Sequence, residues 1–421
     1  MGHLLPLPRR KGRLMDSGDT AWVLISSALV LFMTPGLAFF YGGMVRAKNV
    51  LNMLMMNFFT ISIVTVIWVL VGWTIAFGGE GGGIIGDFSE MGFEGLSGDG
   101  LLIAMFQMTF AIITPALIAG AVAGRMKFKA WVLFVSLWAL LVYPVVAHWT
   151  WEGWLLDLGA IDFAGGLVVH INAGVAALAL VLVLGVRKGF GKEAPRAHFL
   201  PLTLIGTGIL WFGWFGFNAG SALGANDGAI NAMVTTQIGA ALGALGWVVA
   251  EWRKRGAPTT LGAACGAIAG LVAITPAAGF VGPLVAFVFG GLAGVVCYAA
   301  VSLKFRFGYD DSLDVVGVHL VGGIVGSLLV GVLAQASVGG VDGALFGNFA
   351  QIWYQLVGVI AVIGYSFVAT WLIAILVNAV VGLRAEDGEE DEGLDISLHE
   401  ERAYVLADWV PDPLAIRSTE V

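Results

Sequence analysis

The sequence predicts an all-α polytopic membrane protein, because of its composition, the length of its apolar runs and the placement of its basic residues. Of its 421 residues, 58% are hydrophobic and 12% are charged, and the mean hydropathy is +0.90. These values lie far outside the range of a water-soluble domain. The apolar runs reach about 20 residues or more, which a helix needs to cross roughly 30 Å of hydrocarbon. They lack the alternation of an outer-membrane barrel, so we expect spanning helices.

The apolar runs predict eleven transmembrane helices. They lie at about 20–42, 50–77, 100–124, 130–148, 163–186, 199–218, 227–251, 260–275, 280–303, 313–335 and 350–382. An odd number of spans puts the two ends of the chain on opposite sides of the membrane.

Basic residues predict which end faces the cytoplasm, since short loops rich in Lys and Arg stay inside. Seventeen of the 21 basic residues follow odd-numbered spans. We therefore expect the N-terminus outside and the C-terminus in the cytoplasm, with the protein in the cell (inner or plasma) membrane. The other four basic residues precede the first span, ahead of an acidic segment, MDSGDT, that begins at Met15.

These observations divide the chain into three parts. Residues 1–18 are interpreted as an N-terminal extension that is disordered or not native, its first fourteen residues being a mis-assigned start or a non-native remnant. They lack the apolar stretch of a signal peptide. Residues 19–383 form the membrane domain, and residues 384–421 form a cytoplasmic tail.

The chain also contains a weak internal repeat. AIITPALIAG (111–120) resembles VAITPAAGFV (272–281), and an Asp followed by a His comes after each copy: Asp162 with His170, and Asp314 with His319. A Gly follows each His by four residues. Five spans per half make an inverted repeat, whose substrate site lies near the membrane midplane. Shared packing of small residues is the alternative explanation.

His170 and His319 are the two histidines expected at the membrane centre. A core histidine commonly does no more than pack and hydrogen-bond, but an ionisable group within hydrocarbon is costly and usually marks a conduction or proton path. Asp162 stands at the start of its span, where a carboxylate caps helix N–H groups or stabilises a nearby cation. Asp314 has the same two interpretations.

No cofactor or metal site is predicted, and the chain is not expected to be an enzyme. Cys265 and Cys297 fall inside apolar runs and suggest neither a disulfide nor a ligand set. An HExxH motif, a three-ligand metal set and a nucleophile beside a base are absent from the sequence. Nothing in it indicates nucleic-acid binding.

Several long motifs resemble those of the ammonium transporter (Amt/Rh/Mep) family, in its bacterial or archaeal Amt form. DFAGGLVVHINAG (162–174), WFGWFGFNAGSA (211–222) and DSLDVVGVHLVGGIVG (311–326) are similar to its fifth-, sixth- and tenth-helix motifs. TPGLAFFYGGMVRAKNVLN (34–52) and GLDISLHEERAY (393–404) also resemble family segments. The likeness runs from about Asp19 to Tyr404.

The resemblance implies a role for each matching residue. Trp151, Phe110, Phe217 and Ser221 would recruit ammonium at the extracellular mouth, although Trp149 and Trp154 lie close enough to Trp151 to exchange places with it in an alignment. Phe110 and Phe217 would also form the gate. His170 and His319 would be the twin histidines that line the pore and relay the proton. The family is homotrimeric, lies among membrane lipids, carries ammonium and methylammonium, and in bacteria binds PII signal proteins.

The implied function is ammonium transport, in which ammonium is recruited, loses a proton and crosses as ammonia while the proton is relayed separately. Two alternatives remain: an ammonium sensor, and an electroneutral Rh-type channel for ammonia or carbon dioxide. Ammonium is nearly the size of potassium, so size alone would not separate the two ions. Selection of ammonium over potassium requires directed hydrogen bonds and a removable proton. Cation–π attraction of roughly 0.5 to 2 kcal/mol suits recruitment, and imidazoles that titrate near neutrality suit the proton relay.

The tail departs from the family at one position. Where the family has HGExAY, this chain has His399 followed by Glu400, and glutamate resists the positive φ that glycine allows. Tyr404 ends the motif, and Ser397 stands where eukaryotic relatives carry a phosphorylated Thr. We expect Ser397, Glu400 and Tyr404 to belong to the regulatory tail. The acidic run EDGEEDEG (386–393) is interpreted as a solvated segment.

Overall fold

A computed structural model describes residues 15–79, 83–192 and 197–404. Over these residues the fold is helical, and the extended backbone pairs only at an isolated bridge between Met126 and Arg384. The all-α prediction is therefore confirmed for the described part of the chain. The expectations for residues 1–14, and for the tail beyond residue 404, lie outside it.

Ten helices in the described ranges are long and apolar enough to cross a membrane. Together with a shorter apolar helix, Thr260–Ile274, they are numbered here α1 to α11 in chain order: Ser17–Met44, Ala47–Phe77, Asp99–Ile118, Phe128–Leu158, Gly166–Leu184, Leu200–Ala219, Asp227–Arg255, Thr260–Ile274, Pro283–Phe307, Val316–Leu333 and Ala350–Val381. Each overlaps one predicted span. The largest differences in bounds are at α3, which ends six residues before the prediction, and α4, which runs ten residues beyond it.

Helix ends follow the capping chemistry of the sequence. Asp16 precedes α1 and accepts a hydrogen bond from the Asp19 backbone N–H, and Asn226 precedes α7 and accepts one from Ala229. At its other end α7 carries three basic residues and stops at Gly256, whose φ of 80° is left-handed. Each feature satisfies backbone groups that a helix terminus leaves unpaired.

Two glycines allow α5 and α10 to cross closely. A Cβ at Gly174 would collide with the backbone of Leu320, and one at Gly323 would lie 3.2 Å from both the Gly166 carbonyl oxygen and the His170 Cβ. These are the glycines that follow each pore histidine by four residues. Small residues at the crossing bring the two histidine-bearing segments into contact.

Within the described ranges, four π-helical turns interrupt the helices: Trp68–Gly72, Gly166–Ile171, Phe215–Ala219 and Val316–Leu320. Three of them carry His170, Phe217 and His319. A π turn adds a residue to the helical turn and changes where the following side chains point, and such turns are frequent at functional sites.

On the side predicted to be cytoplasmic, Arg125 joins several loops. Its side chain is fully buried and donates to the Ser312 hydroxyl at 2.5 Å, to the Gly185 carbonyl at 3.1 Å and to the Asp310 carbonyl. Burial lowers the pKa of Arg125 to about 10, against the attraction of Asp310. Arg125 therefore stays charged at neutral pH and links the loop after α3 to the segment that leads into α10.

The tail forms two short helices, α12 (Asp387–Glu392) and α13 (Leu394–His399). Asp391 pairs with Lys188 at 2.9 Å, the Asp395 carboxylate accepts from the Asn52 backbone N–H at 2.8 Å, and the His399 ring contacts the Asn52 side chain at 3.0 Å. The tail thus packs against the first turns of α2 and the loop after α5. The acidic run is only partly solvated as predicted, since Glu390 is buried against Arg384 at 2.7 Å.

Candidate functional site: an aromatic-gated pore with paired histidines

The two predicted pore histidines contact each other at the crossing of α5 and α10. Their Nδ1 atoms are 3.3 Å apart, and the side chains are buried, with residue exposures of 1% for His170 and 4% for His319. A hydrogen bond between two imidazole nitrogens requires one to donate and the other to accept. One Nδ1 therefore carries a proton and the other does not. The Nε2 atom of His170 has no hydrogen-bond partner among the described residues.

A stack of aromatic rings covers one side of the histidine pair. Phe110 and Phe217 lie with their centroids 4.3 Å apart and their planes 30° apart. The Phe217 centroid is 5.9 Å from that of His170, in a stacked arrangement. Both phenylalanines are buried at 1% exposure. The predicted gate residues thus contact each other, and Phe217 stacks on His170.

Trp151 lies on the outer side of this stack. Its ring meets Phe110 edge-on, with centroids 6.1 Å apart, and its indole N–H donates to the Asp162 carbonyl at 2.9 Å. Trp149 instead donates to the Ile84 carbonyl and pairs with Trp154, which is exposed. Of the three tryptophans considered from the sequence, Trp151 is the one in ring contact with the gate.

Ser221 lies one helical turn after Phe217. Its hydroxyl donates to the Phe217 carbonyl at 2.8 Å. Because the proton of the hydroxyl is used in this bond, its oxygen lone pairs remain available to accept a hydrogen bond. A donor such as an N–H of ammonium suits that oxygen.

A narrow cavity lies beside the histidines. Its lining is apolar except for the two imidazoles and the Trp214 indole, and consists of Met33, Leu37, Phe40, Ile113, Leu117, Val169, His170, Leu210, Trp214, Phe217, Ile268 and His319. Burying an unpaired charge against such walls costs many kcal/mol. The cavity is chemically suited to a small neutral molecule.

The carboxylate of Asp162 caps the start of α5. It accepts four backbone N–H groups, from Gly165 (3.0 Å), Gly166 (2.5 Å), Leu167 (2.8 Å) and Val168 (3.1 Å). Its full complement of hydrogen bonds explains how a carboxylate is tolerated at 8% exposure.

The matching interpretation of Asp314 as a helix cap is wrong. The carboxylate that accepts a backbone N–H at the start of α10 belongs to Asp311, which takes that of Val316 at 2.7 Å. Asp314 instead has a φ of 65° and pairs with Lys304 at 2.6 Å. The spacing contains the information: Asp162 and Asp311 each precede their histidine by eight residues, whereas Asp314 precedes His319 by five.

Sequence reasoning missed Trp214. Its ring stacks on His170 with centroids 5.5 Å apart, and its indole N–H donates to Thr275 at 2.9 Å. Thr275 in turn hydrogen-bonds to Asn218 at 3.2 Å. Trp214 stands three residues before Phe217 in the motif WFGWFGFNAGSA, but aromatic residues are so frequent in this chain that the letters alone do not single it out.

The predicted tail residues lie in α13 and just after it. Glu400 adopts a φ of 57°, so it occupies the left-handed conformation that glycine would favour. The Ser397 hydroxyl donates within its own helix to the Gly393 carbonyl. The Tyr404 hydroxyl contacts the His198 Nε2 at 2.8 Å, which joins the end of the motif to the loop before α6.

A bundle of apolar helices that encloses a narrow cavity with two facing imidazoles is typical of a membrane transport protein. The chain belongs to the ammonium transporter family, since residues 21–404 match the Ammonium Transporter Family. The family resemblance of the motifs is thereby confirmed.

Individual relatives agree with this assignment. The chain is 51% identical to an ammonium transporter of Aquifex aeolicus, over 93% of this chain and 94% of that protein. It is 48% identical to the ammonium transporter Amt1 of Archaeoglobus fulgidus, over 93% and 100%.

Solved structures share the fold. The crystal structure of Saccharomyces cerevisiae Mep2 matches with a TM-score of 0.84 and 34% identity, covering 89% of this chain and 88% of that one. A structure described as a sensor Amt protein matches with a TM-score of 0.86 and 28% identity, covering 91% and 98%.

Proposed function

We propose that this protein transports ammonium by recruiting the cation at Trp151 and Ser221, removing a proton, and passing ammonia through the pore between His170 and His319. The observation that carries the proposal is the 3.3 Å contact between the two Nδ1 atoms directly behind the aromatic stack. It supplies a proton-handling pair in an otherwise apolar cavity.

Recruitment depends on the outer aromatic face. A cation within about 6 Å of an aromatic centroid gains roughly 0.5 to 2 kcal/mol, and the Ser221 oxygen adds one directed hydrogen bond. Potassium also feels the cation–π attraction, but it has no N–H to donate. The same site accommodates methylammonium, which keeps three donors.

Passage depends on the loss of the proton. The stacked Phe110 and Phe217 rings offer no hydrogen-bond partner for an intact ion, so deprotonation before the gate is the lower-energy route. The imidazole pair then exchanges donor and acceptor roles as ammonia passes, and relays the proton separately. The two pKa values belong to the pair as a unit.

The assembly proposed for this function has eleven membrane-spanning helices, five in each inverted half followed by α11, in a homotrimer with one pore per protomer. The facing histidines, each preceded by a capping Asp and followed by Gly, support the inverted repeat. The distribution of basic residues supports an outside N-terminus and a cytoplasmic tail in the cell membrane. A PII signal protein is the proposed partner of that tail.

Electrophysiology on a solid-supported membrane tests the transport function. Purified protein in liposomes is expected to give a saturable current after an ammonium jump and none after a potassium jump. Ammonia uptake without current would favour the electroneutral channel instead. Absence of both uptake and current from a correctly folded protein would favour a sensor, as one structural neighbour, the sensor Amt protein, is described.

A further inference from the structure

His148 is a buried histidine that the pore does not use. It lies in α4, three residues before Trp151, and its side chain is fully buried, at 0% exposure. Its Nδ1 is 2.9 Å from the carbonyl oxygen of Ala76. A carbonyl oxygen only accepts, so Nδ1 carries the proton and donates it.

The acceptor lies at the end of a helix. The α2 segment stops at Phe77, so the carbonyl of Ala76 belongs to the last turn, whose carbonyls lack helical N–H donors. His148 satisfies this buried carbonyl from a different helix. The hydrogen bond ties the end of α2 to the turn of α4 that carries Trp151.

Phe77 follows Ala76 directly and stacks on Trp151. The two ring planes are 14° apart, with centroids 6.5 Å apart. Phe77 is in turn stacked on Trp73 at 4.8 Å and meets Trp68 edge-on at 6.2 Å. One face of the Trp151 indole is therefore backed by a ring whose own position is fixed by its neighbours.

The chain leaves room for the imidazole at Gly153. A Cβ at that position would lie 3.2 Å from the His148 Cδ2 and 3.3 Å from its Nε2, closer than ordinary van der Waals contact. A larger residue at 153 would press on the Cδ2–Nε2 edge of the ring and displace it from its present position.

We infer that His148 is a positioning residue for ammonium recruitment: through the Ala76 carbonyl it holds Phe77 against Trp151, and so fixes the indole face that attracts the cation. The inference rests on the proposed recruiting role of Trp151. It adds Phe77 to the recruiting site as a backing ring and assigns His148 no part in moving the proton.

Three variants separate this role from others. His148→Leu removes the donor, whereas His148→Asn keeps an amide N–H near the position of Nδ1. Phe77→Leu removes the backing ring directly and also serves if His148→Leu fails to fold. Thr150→Val is the matched control, because Thr150 is almost equally buried on the same helix and its hydroxyl donates to the Val146 carbonyl, its one partner among the described residues.

The readout is the ammonium concentration that gives half-maximal current, measured together with the maximal current. His148→Leu and Phe77→Leu are each expected to raise the half-saturating concentration by roughly three- to tenfold, with maximal current retained, since a misoriented ring loses part of the cation–π attraction. His148→Asn should restore affinity, and Thr150→Val should not change it.

Three results would overturn the inference: an unchanged half-saturating concentration in both Leu variants, a lower maximal current with unchanged half-saturation, or His148→Asn behaving like His148→Leu. The last two would point to a proton path or to a purely structural imidazole. The wild-type protein separates this test from that of the proposed function, because an absent ammonium current there contradicts transport itself.

Discussion

The two segments predicted to line the pore, 162–174 and 311–323, share one geometry but differ in electrostatic support. In each, an Asp at the helix start is followed after eight residues by a His in a π turn and then by Gly. Asp162 is held by four backbone N–H groups and has no ion pair among the described residues. Asp311 lies beside Lys304, whose Nζ donates to its carbonyl and pairs with Asp314.

The difference follows from the sides that the two helices start from. Basic residues concentrate on the side predicted to be cytoplasmic, where α10 begins, so a lysine is available to Asp311. Among the described residues the side predicted to be outer carries no Lys or Arg, and Asp162 is held by backbone N–H groups at the helix start. A cation at the proposed recruiting site would then meet the Asp162 carboxylate without a lysine beside it. This arrangement suits recruitment from the predicted outer side.

The largest effect is expected at the histidines, where the two halves should behave alike. His170→Leu and His319→Leu each remove one member of the Nδ1 to Nδ1 contact, so each should abolish the ammonium current or reduce it at least roughly tenfold. Leucine of similar bulk should leave folding largely intact. Currents on solid-supported membranes, with the amount of folded protein checked by size-exclusion chromatography, measure this.

A carboxylate at the same position provides the complementary test. In His170→Glu a fixed negative charge can coordinate an intact cation, so discrimination against potassium should deteriorate. If both Leu variants conduct like the wild type, the pair is a pore lining and does not handle the proton.

The capping carboxylates should separate the two halves. In Asp162→Asn the amide NH₂ must face backbone N–H donors that now bond to the carboxylate, leaving buried groups unpaired at about 1–3 kcal/mol. Asp311 has one carboxylate oxygen, Oδ1, without a partner among the described residues, so an NH₂ fits there. Asp311→Asn should therefore cost less.

Thermal unfolding of the purified variants measures this contrast. We expect a clearly lower Tm for Asp162→Asn and a smaller decrease for Asp311→Asn. Equal decreases would mean that the charge beside Lys304 matters as much as the four N–H bonds, and that the two halves are supported equivalently.

Much of the fold was predictable because few backbone structures can cross the hydrocarbon of a membrane. Each predicted span contains a helix, since apolar runs of sufficient length have few alternatives in a membrane. The bounds were less predictable: α4 continues to Leu158 after a bend near Val142. Hydropathy does not register such bends, nor the π turns, which depend on how neighbouring helices pack.

Within the candidate site, the sequence motifs predicted the aromatic residues and the two histidines, but not the residues that contact them. Asp311 was overlooked although its eight-residue spacing is visible in the sequence, because Asp314 stands nearer to His319. His148 and Phe77 meet through the Ala76 carbonyl, a backbone atom, and no residue letter encodes that contact. Trp214 is identified as part of the site by the stacking of its ring on His170.

The proposed recruiting site takes one residue from each half of the chain, so the contributions of the two halves can be compared there. Trp151→Leu removes the cation–π face supplied by the first half, and Ser221→Ala removes the acceptor supplied by the second. Each loss is on the order of 1 kcal/mol, so the double variant should need several-fold more ammonium for half-maximal current while assembling normally. An unchanged ammonium dependence in the double variant would place the recruiting site elsewhere, with Trp149 the next residue to test.

The smallest effect is expected at the tail, whose described contacts lie mainly on the first half of the chain. Lys188, Asn49 and Asn52 of that half hold it through ion pairs and hydrogen bonds. The Lys188–Asp391 ion pair is exposed and contributes little, whereas the hydrogen bonds of Asn49 and Asn52 are buried. Substitutions in the tail should therefore change its docking without reaching the histidine pair.

Glu400→Gly tests this docking in the stabilising direction. Glu400 stands at φ 57°, a conformation that costs an L-residue roughly 1–2 kcal/mol and glycine very little. Glycine also makes the undocked chain more flexible, which offsets up to about 1 kcal/mol of that gain. The net effect should be a tail that is docked slightly more firmly, seen as slower hydrogen exchange of the α13 amides. Glu400→Ala is the matched control: it removes the carboxylate but keeps a Cβ, so it should not slow exchange. Faster exchange in Glu400→Gly than in the wild type would show that the glutamate side chain itself holds the tail, and that the left-handed residue is not a source of strain.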